Sequence, residues 1–159
     1  MRSSDVHAVA RAIYGTILVT ALVAALSEYD DSDSWQILVS VVVTTLVFWS
    51  AHVYAEVLSQ RLAVGRGLTW REVGRAFGDE LPMVIAAVPA VLALLGAVVG
   101  LYSRDTGAWL AVAIGVAALF AYGLLLGYRE HAPLHRVLLN ALVNGAFGFV
   151  VVALKAFVH

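Results

Sequence analysis

Polar residues divide this chain into five apolar runs, at about residues 9–27, 36–58, 81–102, 108–128 and 137–158. A hydrocarbon core about 30 Å thick is crossed by roughly 20 helical residues rising about 1.5 Å each. The runs have that length, and the pattern predicts an all-α integral membrane protein: a five-transmembrane-helix bundle forming one domain over residues 1–159. Arg2 followed by an apolar stretch ending in Ala25-Leu26-Ser27 also has the outline of a signal peptide. Arg11 and Tyr14 already extend that segment at its start, so it is read as a retained first span.

Composition agrees with a lipid solvent. The chain is 62% hydrophobic and 13% charged, with a mean hydropathy of +0.89, whereas soluble domains are about half apolar and about a quarter charged. Little length remains for a soluble catalytic domain. A net charge of -1 offers no basic field for nucleic acid. The absence of cysteine removes disulfides, a thiolate nucleophile and thiolate metal sites. Nine of the ten basic residues are Arg, and Ala, Val, Gly and Leu dominate the rest, a usage that suggests a bacterial source.

The basic residues also set an orientation. Arg2, Arg11, Arg61, Arg66, Arg71, Arg75, Arg129 and Arg136 fall on one side, against Arg104 and Lys155 on the other. Positive charge collects in the cytoplasm, so the N-terminus is expected there and the C-terminus outside, in the cell's inner (plasma) membrane. The acidic loop 28–33 is then an outer connection, read as solvated or as a weak cation-attracting mouth. The long connection 59–80 is cytoplasmic. Within it, Thr69-Trp70-Arg71-Glu72 has capping-box spacing, and Trp70, Val73 and Phe77 recur at helical intervals. These predict a short amphipathic interfacial helix between spans two and three, anchored by Trp70; an ordinary elbow into the third span is the plainer reading.

With that topology, the polar residues inside the spans gather in the cytoplasmic half. Thr45, Trp49, His52 and Glu56 share a stripe of the second helix through their 4, 3, 4 spacing. Arg11 and Tyr14 lie at a similar level on the first span, and Asp79 and Glu80 mark the entry to the third. Tyr122 and Tyr128 lie near the exit of the fourth, while Asn140 and Asn144 share one face of the fifth. Ionisable groups in lipid are costly and normally face an interior. The site candidates are therefore His52, Glu56, Arg11, Tyr14, Trp49, Glu80, Tyr122, Asn140 and Asn144, with Arg11 the expected charge partner of Glu56.

Specific chemistry is thinly supported. His52 and Glu56 could share a metal ion, yet two ligands are fewer than such sites need, so neither metal nor cofactor is assigned. No His-Glu-x-x-His, nucleophile elbow, phosphate loop or dinucleotide fingerprint occurs, and no catalytic residue is named. Gly96 to Gly100 and Gly123 to Gly127 are G-x-x-x-G patterns that favour close helix approach, within the chain or in a homo-oligomer. Pro89 is a candidate kink in the third span.

Two motifs resemble known families. Val143-Asn144-Gly145-Ala146-Phe147-Gly148 is similar to the Asn-then-Gly pattern in a span of small fluoride channels, but it falls here in the last span and the rest of that pattern is missing. A second span ending in Trp49 and His52 resembles the bacterial relatives of the lysosomal potassium channel. The Phe-Ser-Asp expected there after the first-span Arg is replaced by Tyr14-Gly15-Thr16. Neither resemblance assigns the chain to a family.

Three functional readings follow. The first is conduction or coupling of a small cation or proton, with His52 as the titrating group and Glu56 as its charge partner. The second is a non-catalytic membrane scaffold or partner subunit whose polar residues are interhelical glue, each bond worth about 0.6 kcal/mol. The third, an intramembrane enzyme acting on a lipid or isoprenoid, is opposed by the lack of a nucleophile or metal set. A continuous cavity lined by His52, Glu56, Tyr122 and Asn144 would favour the first; a packed cluster would favour the second.

Overall fold

A computed structural model describes residues 3–28, 33–129 and 133–157, with side chains described at 6–28, 33–129, 133–143, 145 and 146. Their order is α1 (Ser3–Leu26), α2 (Ser34–Val64), α3 (Trp70–Val98), α4 (Arg104–Arg129) and α5 (Leu134–Phe157). No strand occurs among the described residues. Among the described residues, four helices each contain a stretch long and apolar enough to cross a membrane: α1 from Val6 onward, α2, α3 and α4. This is the architecture of a multi-pass membrane protein. In α5 the apolar segment found among the described residues is Leu134–Val143; most of the fifth predicted span, Lys155 included, lies outside the described side chains.

The helices outrun the apolar runs at the α2–α3 junction, which corrects the expected topology there. No separate helix lies between α2 and α3. α3 is continuous from Trp70 for 29 residues, and the turns containing Phe77, Asp79 and Glu80 are its opening. The connection is only residues 65–69. Extending a helix that already exists costs far less than nucleating one, so polar residues beyond an apolar run join it until a capping signal intervenes. Here Gly65 takes the left-handed conformation (φ 68°) and its N–H donates to Arg61 O at 3.0 Å. Thr69 then starts α3 with the expected capping box: Glu72 N donates to Thr69 Oγ1 at 3.4 Å, and Thr69 N donates to Glu72 Oε2 at 2.7 Å.

Arg66 closes this junction by a two-pronged pair with Glu72, at 3.2 and 2.9 Å. The junction precedes the apolar run that begins near Leu81 and so lies outside the membrane-spanning part. Hydrogen bonds from Arg66, then from Thr69, hold the Glu72 carboxyl at about 2, against an ordinary 4.5. A lowered folded-state value stabilises the junction above the ordinary value, and that contribution is lost as pH falls from about 4.5 toward about 2. A carboxyl ¹³C titration should place the Glu72 midpoint near the lower limit, and Arg66→Gln should move it upward. A wild-type midpoint at the ordinary glutamate value would contradict this arrangement.

α1 is the hub of the bundle, packing on α2, α3, α4 and α5; α2 also packs on α3, α3 on α4, and α4 on α5. The apolar core sits toward the C-terminal end of α1, where Val19 and Val23 meet Ile37 and Val41 of α2, Ala90 and Leu94 of α3, and Ala111 and Val112 of α4. Small residues bring the backbones together. Gly15 abuts the Met83 backbone, Gly115 receives Thr20, and Gly123 and Gly127 receive Ala141 and Val137 of α5. The Gly123–Gly127 pattern thus serves an intrachain contact. Gly96 instead seats the Tyr102 ring, whose hydroxyl donates to Ala93 O at 2.5 Å, and Gly100 turns the chain at φ 80°. α3 is helical through both Pro82 and Pro89.

Candidate functional site

About 18 Å along α1 from Val23, twelve residues at 1.5 Å each, the character of the bundle changes. Three helices meet there, each contributing two side chains one turn apart. From α1 come Arg11 and Tyr14, from α2 Trp49 and His52, and from α3 Phe77 and Glu80. Arg11 Nε reaches Glu80 Oε1 at 2.7 Å. Trp49 meets Phe77 edge-on at 5.4 Å between centroids and 75° between planes. His52 lies beside Tyr14 at 5.0 Å and 49°. The pairings run α1 to α3, α3 to α2 and α2 to α1, so they close a ring.

The electrostatic centre of this ring differs from the expected one. The partner of Arg11 is Glu80, not Glu56. Glu56 accepts from Gln60 Nε2 one turn along its own helix at 2.7 Å. Arg11 is level with both carboxylates, but α1 packs its Gly15 face directly onto α3, which delivers Glu80 to it. Glu80 is only 4% exposed. Its Oε1 takes the guanidinium, while its buried Oε2 has no hydrogen-bond partner; buried Trp49 Nε1 has none either. Native structures leave few such atoms, so each calls for an explanation.

His52 Nδ1 lies 2.9 Å from Phe48 O in its own helix. A carbonyl can only accept, so Nδ1 carries the proton and Nε2 is left to act outside the helix. Among the described residues no hydrogen bond from His52 crosses to another helix, and its ring contact there is the tilted Tyr14 ring. Thr16, Thr20 and Thr45 likewise donate to the carbonyls four residues earlier, at 2.9, 2.7 and 2.7 Å, and are satisfied within their own helices.

Of the predicted five-helix cluster, the described contacts join the members carried by three helices. Arg11, Tyr14, Trp49, His52 and Glu80 come together on α1, α2 and α3. Half-buried Tyr122 and Asn140 are carried by α4 and α5, which pack on each other and on α1. No hydrogen bond joins Tyr122 to the ring among the described residues, and the side chain of Asn144 lies outside them. An open apolar groove lies instead along Trp109, Val112, Val116, Phe120 and Gly145, away from the ionisable groups. Among the described residues, no three His, Asp or Glu side chains converge as metal ligands. Phe77 is the ring member the sequence reading did not select; its i, i+3 spacing to Glu80 was the available signal.

No protein-family model, curated protein or solved structure matches the chain.

Proposed function

We propose that this protein binds and couples a small cation, the proton above all, through the Arg11–Glu80 pair within a plasma membrane. In this reading α5 is a fifth span, the N-terminus is cytoplasmic, and the opening of α3, with Trp70 at 91% exposure, lies along the inner interface. The carrying observation is the unpartnered Glu80 Oε2. A purely structural buried ion pair favours saturation of both oxygens, whereas an open one is a place for a proton or cation.

The test is flux in proteoliposomes bearing a trapped pH or cation indicator. Wild-type protein should dissipate an imposed gradient, Glu80→Gln should reduce flux to the level of protein-free vesicles, and His52→Ala with Glu56→Gln should slow it without abolishing it. Equal flux for wild type and Glu80→Gln sinks the proposal. The scaffold reading is favoured by one observation, the closure of the ring within a single chain; it predicts loss of stability in these variants with no flux to lose.

A further inference from the structure

We infer that the ring formed by α1, α2 and α3 encloses a hydration site in which water bridges the Trp49 indole N–H and Glu80 Oε2. Two buried polar atoms at this junction lack protein partners, and they are chemically complementary: Trp49 Nε1 only donates and the carboxylate oxygen only accepts. The Trp49 ring stands against Phe77, and Phe77 and Glu80 lie one turn apart on α3, which sets both side chains beside the same turn of that helix. Glu80 is buried to 96%, being 4% exposed. An unsatisfied buried donor or acceptor forfeits the hydrogen bond it would make to water, so leaving both dry is unfavourable.

The complementarity selects the guest. An alkali cation or an ammonium group could bind the carboxylate but cannot accept from an indole N–H. An inorganic anion could accept from the indole but would be repelled by Glu80. A hydroxylic molecule does both, and water is the smallest. Buried waters make about three hydrogen bonds, and the Arg11 guanidinium, already on Glu80 through Nε, carries further N–H groups able to supply the third. The site itself does not require transport; where it deepens the proposed function, it rests on that reading and selects the proton over a bare metal ion as the species reaching Glu80.

Water-edited NMR on the full chain in lipid bilayers tests the site. The Trp49 indole N–H signal, assigned by its disappearance in Trp49→Phe, should build up from water as fast as that of exposed Trp70. Build-up as slow as the backbone amide of core Val41 would overturn the inference. Infrared difference spectroscopy gives a second arm, with the Glu80 carboxylate band identified through Glu80→Gln. Trp49→Phe retains the ring packing but removes the donor, so it should shift that band; an unmoved band also overturns the inference. Hydration without flux would remove the transport reading and leave this site standing. Flux with a dry ring would do the reverse.

Discussion

Glu80→Ala is expected to cost about 3–5 kcal/mol of folding stability, because it leaves the Arg11 guanidinium without its partner inside the bundle. Arg11→Ala should be similarly severe through the stranded Glu80 carboxylate, which is the more deeply buried of the two. Replacing both residues by Met should cost much less than the sum of the single changes, since neither charge is then left uncompensated. Glu56→Gln is the control; among the described residues that side chain hydrogen-bonds to Gln60 along its own helix, and an amide can keep that bond, so the change should stay within about 0.5 kcal/mol. Unfolding in mixed micelles across this mutant cycle reads the coupling directly. Additive single and double changes, or a Glu56→Gln as damaging as Glu80→Ala, would show that the pair does not hold α1 to α3. The double variant also separates stability from activity: if it is stable yet passes no protons, the pair has a role beyond packing.

The sequence reveals this ring in depth but not in azimuth. Spacing puts Trp49 and His52 on one stripe of α2, and distance from the apolar run ends puts Arg11 level with Glu56 and Glu80. Which carboxylate Arg11 meets depends on how each helix is rotated. That rotation is set by Gly15 seating against the Met83 backbone, a contact between residues far apart in the chain. Tyr122 and Asn140 share that depth but are carried by α4 and α5, which pack on each other and on α1. A shared level does not make a shared site when α4 and α5 approach α1 from a different side than α2.

Helix ends were legible only where a local signal wrote them. Thr69 with Glu72 forms the expected capping box, but hydrophobicity alone ends the second span near Leu58, while the helix runs on to Val64. The glycine patterns carried no label for their partners. One of them seats an aromatic ring from the following turn, and the other seats a neighbouring helix. G-x-x-x-G states that something comes close; the partner is a tertiary fact.

The same distinction makes glycine-to-alanine substitutions diverge sharply along this chain. In an open helical position, alanine should stabilise by up to about 1 kcal/mol, as expected for Gly74→Ala and Gly78→Ala in α3, where an added Cβ meets nothing within 4 Å. Gly15→Ala should do the opposite. Its Cβ would overlap the Met83 carbonyl oxygen and come within 3.0 Å of Met83 C and Cα, all backbone atoms that no rotamer change can move. Relief requires α1 and α3 to separate, which stretches the 2.7 Å Arg11–Glu80 pair one turn away. Overpacking of this kind costs about 1–3 kcal/mol, and the disturbed ion pair adds to it, so the propensity gain is overwhelmed. Gly123→Ala should be comparably harmful, because its Cβ would meet Ala141 Cα and Asn140 O on α5. Thermal unfolding of the four variants under identical lipid or detergent conditions provides the check. Gly15→Ala as stable as Gly74→Ala would mean that the two helices do not cross at this distance. In that case the delivery of Glu80 to Arg11, on which the site depends, would lose its geometric cause.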